Sequence, residues 1–260
     1  MPNEKVAQLA ARFRDPKDLK RQSNPDLKEM TATLDELRAM GADGVTSLVD
    51  LLKPDVDGGD VHVRHILHAQ AMRASGWPEK DRQAFTNALV GTLKADHPKS
   101  VKGYVIRQLQ VAGGAEVTAA LGEWLLDNDL WEDAAQVLLA IGDTAEQFLK
   151  ALPKAKGKQL LTIVQALGVL KVNNAAKRLR ELVTTEDAIL RQVAAWALAN
   201  MAESVGVWSV MGDAFGRAGG TLSKMLWSAL AEGHAAGGDL RGSSSAAILI
   251  AGRDTSISAW

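Results

Sequence analysis

A chain of 260 residues with 47% apolar and 23% charged residues can bury a core and keep a hydrated surface, and its net charge of −1 supplies no general pull towards nucleic acid or anionic lipid. The absence of cysteine excludes disulfides, thiol catalysis and zinc–thiolate sites. No apolar run reaches the roughly 20 residues a membrane-spanning helix needs, and the opening MPNEKVAQLAARF lacks the apolar centre of an export signal.

Ala and Leu dominate while strand formers are sparse, which is helical composition. In chain order, residues 1–25 predict a capping helix from Glu4 to Arg14 and a polar linker ending at Asn24-Pro25. From residue 26 to 218, amphipathic segments alternate with short Gly, Asp or Asn turns. DLKEMTATLDELRAM precedes GVTSLVDLL, and DVHVRHILHAQAM precedes EKDRQAFTNALVGTL. KQLLTIVQALGVL turns at KVNN into AAKRLRELV, and DAILRQVAAWALANM leads towards GVWSVMGDAF. Residues 219–260 hold one further helix, TLSKMLWSALAEGHAA, and a tail in which the pattern is lost.

The first helices of these pairs share an i, i+4, i+8 stripe: Val101, Val105, Leu109; Leu130, Ala134, Leu138; Gln159, Ile163, Leu167; and Leu190, Ala194, Leu198. Successive stripes are offset by twenty-nine, twenty-nine and thirty-one residues. Gly113-Gly114, Gly219-Gly220 and Gly237-Gly238 are expected as helix terminators in the left-handed conformation. LRQVAAWALANM at Leu190 to Met201 resembles the first helix of a HEAT repeat, and VKGYVIRQLQVAGG at Val101 to Gly114 is a looser version. The resemblance implies an all-α fold, an α-solenoid of about six HEAT-like hairpins with a cap at each end, of the kind found in large bacterial proteins. It also implies a scaffold or binding role.

Charge is unevenly placed. Between Ala115 and Gln147 stand Glu116, Glu123, Asp127, Asp129, Glu132, Asp133, Asp143 and Glu146 with no Lys or Arg. Between Lys150 and Glu181 stand eight bases and one acid. Two accounts fit: neighbouring repeats complement one another, or the two stretches dock a dipolar partner protein. The candidate contact residues are Asp127, Asp129, Trp131 and Asp133 in the first stretch, Lys177, Arg178 and Glu181 in the second, and Trp196 beyond it. Trp196 lies off the Leu190–Ala194–Leu198 stripe, whereas Trp124, Trp208 and Trp227 are expected in the core.

His62, His65 and His68 stand three apart, but with Val63, Ile66, Leu67 and Gln70 turned inward, His65 and His68 face solvent. No metal or cofactor is expected, nor is catalysis: GxGxxG, GxxxxGK[ST] and GxSxG are absent, and the paired carboxylates lie in an open turn. Trp131, Asp133 and Arg191 fit only loosely the Trp–Asp–Arg set of HEAT-like DNA glycosylases, so an enzyme of that class, a metal-dependent relative or a spacer in a longer polypeptide stands as the alternative. The expectation is a non-catalytic protein-interaction scaffold with a protein partner and no nucleic acid. Its compartment is cytoplasmic as the sequence stands, or periplasmic or secreted if an export signal has been removed.

Overall fold

The computed structural model describes residues 3–13, 27–54 and 59–201. The chain divides into two units, Met1–Gln159 and Leu160–Trp260. Among the described residues every regular element is helical and none is a strand. The further helix at 221–236, the tail, Trp208, Trp227, and the glycine pairs at 219 and 237 lie outside the described residues.

The first unit holds α1 (Glu4–Ala11), α2 (Leu27–Ala39), α3 (Gly41–Asp50), α4 (Val61–Ala74), α5 (Glu79–Leu93), α6 (Lys99–Ala112), α7 (Thr118–Gly122), α8 (Trp131–Ile141), α9 (Ala145–Ala151) and the start of α10 (Gly157–Val169). Short 3₁₀ turns at Ala115–Val117 and Glu123–Leu126 flank α7. The described part of the second unit holds the rest of α10, a 3₁₀ turn at Asn173–Ala175, α11 (Ala176–Leu182) and α12 (Ala188–Met201). No helix among the described residues is long and apolar enough to cross a membrane.

Local chemistry sets several of these starts. The Asn3 side chain accepts the Lys5 amide at 3.0 Å and caps α1. Asp187 Oδ1 accepts the amides of Ile189 and Leu190, both at 3.0 Å, and caps α12. Asp127 Oδ1 takes the amides of Asp129 and Leu130 in the turn that leads into α8. Pro78 and Pro98 stand immediately before α5 and α6, where a helix has no use for their missing amide protons.

The apolar stripes expected from the sequence are the seams that pack. Val101, Val105 and Leu109 of α6 are buried, as are Ala134 and Leu138 of α8 with Leu130 just before it. α6 packs on α8, α5 on α6, α4 on α6, and α3 on α5. In the second unit Leu190, Ala194 and Leu198 are buried, and α12 packs on α11. There Gly168 lets α10 approach α12 closely: a Cβ on it would lie 2.7 Å from Ala197 Cα.

Two expectations are corrected. Gly113 and Gly114 end α6 in extended backbone, at φ −72° and −140°, not in the left-handed region. Their use is space, since a Cβ on Gly114 would meet Glu116 Oε2 at 2.8 Å and Arg82 Nη1 at 2.9 Å. Trp124 is half-buried where the core was expected. The segment from Ala115 to Leu126 alternates 3₁₀ and α turns, so the angular step changes and the tryptophan rotates off the Val117–Leu121–Leu125 face. Its ring receives the Lys102 ammonium 5.3 Å from its centre.

Candidate functional site

The acidic stretch is mostly engaged, and apart from Glu146, which pairs with the first base of the following stretch, its cation partners lie upstream of it. Asp129 pairs with Lys99, and Asp133 accepts both of its hydrogen bonds from Arg107 Nη1, at 3.0 and 3.1 Å. Both cations belong to α6, the helix on which α8 packs. Asp127 is occupied with backbone amides, while its carbonyl accepts Gln159 Nε2 at 2.9 Å. Glu146 pairs with Lys150 one turn along α9. Trp131 opens α8 half-buried, with Glu132 exposed beside it. Arg191, set beside Trp131 and Asp133 by the glycosylase comparison, reaches its own neighbour, the Thr185 carbonyl, at 3.1 Å.

The firmest of these ties went unnoticed in the sequence. Glu116 Oε1 accepts Arg82 Nη1 at 2.8 Å, the Thr86 hydroxyl at 2.8 Å and the Gly114 amide at 3.1 Å. Arg82 also donates to the Ala112 carbonyl at 3.0 Å, so one cation closes the end of α6 and holds the carboxylate. Burial pushes the Glu116 carboxyl up, but hydrogen bonds from backbone, Thr86 and Arg82, with the guanidinium charge, outweigh it and hold the group below its ordinary range. A thirty-four-residue separation between Arg82 and Glu116 leaves no local spacing to betray the pair.

A second cluster joins α4 to α6. Asp60 is 1% exposed and accepts the Lys53 amide and Arg64 Nε, both at 2.9 Å. Burial raises its carboxyl, but the bonds from Arg64 and the Lys53 amide prevail and the net shift is downward. Arg64 lies 4.7 Å over the Tyr104 ring, and the Tyr104 hydroxyl donates to the Arg64 carbonyl at 2.6 Å. Burial pushes the phenol up to about 12, with Arg64 opposing and Asp60 adding to the rise. Because the folded value exceeds the ordinary 10.0, the stability tied to this phenol is whole below pH 10 and is lost as pH climbs towards 12. Tyr104 is the chain's one tyrosine, so absorbance at the phenolate band titrates it alone. A midpoint near 12 is expected, and one near 10.0 contradicts the buried hydrogen-bonded phenol.

His65 and His68 are exposed, as their helix phase predicts, and His62 is half-buried. His68 Nδ1 lies 3.0 Å from Gln108 Oε1, and the His65 ring lies 6.0 Å from that of Phe13. Among the described residues no three His, Asp or Glu side chains stand together as a metal-holding group.

Lys177, Arg178 and Glu181 all lie exposed on α11. Arg178 bonds Glu181 at 2.7 Å within the helix, while Lys177 and Arg180 extend into solvent. Trp196 is half-buried against α10: its ring comes within 3.1 Å of the space above Gly168, and its buried indole N–H has no hydrogen-bond acceptor. The eight candidate residues therefore fall into two groups, Asp127 to Asp133 in the first unit and Lys177 to Trp196 in the second.

A family model described as a family of unknown function (DUF1028) matches residues 104–259, more than half of the chain. This match corrects the HEAT-like membership expected from the sequence. Small and apolar residues at i, i+4 and i+8 are what any two closely packed helices require, so Leu190 to Met201 meets the HEAT pattern for reasons of packing alone. No curated protein matches the chain.

Proposed function

The chain belongs to this family of unknown function, DUF1028, and from that premise we propose that it is a non-catalytic protein-binding module whose contact face is α11. The observation that carries this is the contrast between the two charged stretches. Of the acidic one, Glu116, Asp129 and Asp133 are committed to cations of α5 and α6. On α11, three exposed cations, Lys177, Arg178 and Arg180, share the single in-helix counter-ion Glu181. Exposed i, i+3 pairs are worth only a few tenths of a kcal/mol, so a partner's carboxylates can take over such a pair at little cost. The same unit also exposes Ile189 and Val169, at 54% and 58%. The cationic face of α11 fits an acidic protein segment.

The reading extends to architecture. Helices of the first unit pack on helices one to three places along the chain, as α3 on α5, α4 on α6 and α6 on α8. Packing mainly between near neighbours supports an open-ended stack of helical hairpins, a solenoid, as the arrangement of the first unit. A dye-labelled peptide of alternating Glu and Leu tests the role. Lys177→Glu with Arg178→Glu is expected to weaken binding about tenfold or more, because two attractive charges become repulsive. Unchanged affinity removes α11 as the contact face.

A further inference from the structure

On the solvent side of α4, His65, His68 and Met72 share one stripe. At about 100° and about 1.5 Å per residue, these positions fall within an arc of about 60° and a length of about 10 Å. His65 and His68 are exposed, and Met72 is 55% exposed. Long helical side chains lean towards the helix N-terminus, which carries the Met72 thioether back over the turn that holds His68. α4 itself has no carboxylate, and its two arginines, Arg64 and Arg73, are paired with Asp60 and Asp35.

His68 is set for ligation by a buried amide. Gln108 is 4% exposed, and its Nε2 donates to the Tyr104 carbonyl at 3.2 Å. The other end of the amide, Oε1, faces His68 Nδ1 at 3.0 Å, and an oxygen that can only accept puts the proton on Nδ1. The lone pair of the neutral ring therefore sits on Nε2, on the edge turned away from Gln108. An imidazole held in this way through one nitrogen is the usual support of a metal ligand that binds through the other. His65 meets Phe13 ring to ring at 6.0 Å, a contact that orients it and uses neither of its nitrogens.

We propose that His65, His68 and Met72 hold one soft monovalent cation, copper(I), through two imidazole nitrogens and one thioether. Three neutral donors, one of them sulfur, suit such an ion and give a hard cation such as magnesium nothing it prefers. The third donor is a methionine, consistent with the lack of any metal-holding trio of His, Asp and Glu among the described residues. The site draws on no residue of α11, so it stands or falls apart from the protein-binding role.

Silver(I), which shares the ligand preferences of copper(I) and does not change oxidation state, is the probe, and no cysteine competes for it. It is titrated into the whole protein without chloride, at a pH above the ordinary histidine value of about 6.5. Saturable one-to-one shifts are expected at the Met72 methyl group and at the His65 and His68 rings. Met72→Leu and His68→Ala, both at exposed positions, are each expected to weaken silver binding about tenfold or more. Zinc(II), which gains little from a thioether, is expected to bind Met72→Leu and the parent alike. Shifts scattered over other methionines and histidines without saturation overturn the proposal. So does equal silver affinity of Met72→Leu and the parent, or a loss of zinc binding as large as the loss of silver. The titration of the unaltered protein decides the matter even if a variant does not fold.

Discussion

Phe148→Ala is expected to lower the unfolding free energy by about 3–5 kcal/mol, the largest loss from any single truncation considered for this chain. Phe148 is fully buried at the centre of α9, a helix of only seven residues. So short a helix has no stability of its own in water, and none of its caps is made by a side chain. α9 is held in place by packing on α7 and on the 3₁₀ turn at Glu123–Leu126, and Phe148 is its largest buried side chain. Removing the ring takes away its transfer free energy and leaves a cavity that a helix docked on two sides cannot close. Chemical denaturation with an unchanged slope checks it. A loss below about 1 kcal/mol contradicts the placement of α9.

Glu116→Ala is expected to cost about 3 kcal/mol, because it strands a cation that is only 19% exposed. Arg82 would keep one bond, to the Ala112 carbonyl, while Thr86 and the Gly114 amide lose their acceptor. Arg82→Met combined with Glu116→Leu is expected to recover much of this, since removing both charges also removes the cost of desolvating them. The acid limb of the stability curve provides a second readout. The folded carboxyl is held below its ordinary 4.5, so its contribution is present above pH 4.5 and is lost as pH falls through the lower folded value. Glu116→Gln should therefore be less stable than the parent at neutral pH and lose less on acidification. Parallel acid limbs contradict the network.

The helices were legible in the sequence because they obey a local rule. Val101, Val105 and Leu109 announce a buried seam by spacing alone, and the pairs from Asp60 to Leu93 begin and end within a few residues of where proline and polarity place them. What failed was non-local or depended on a change of helical pitch. Trp124 rotated out of the core because 3₁₀ turns break the 100° step on which the stripe was counted. The partners of Asp129 and Asp133 lie 30 and 26 residues upstream on α6, a distance no charge run reveals. The pair of Arg82 with Glu116 was invisible for the same reason. The family resemblance misled because tight helix pairs of any origin share small residues in their seams.

The claim on which the functional reading depends is that this nearly neutral chain has spent its acidic stretch on its own helices and kept the cations of α11 for another molecule. Two labelled peptides of equal length and opposite charge, one alternating Glu and Leu and the other Lys and Leu, measure that asymmetry directly when titrated into the same protein. The account predicts saturable, salt-sensitive binding of the glutamate peptide with resonance shifts on α11, and weaker binding of the lysine peptide. Tighter binding of the lysine peptide, or shifts centred on Asp127 to Asp133, would contradict it.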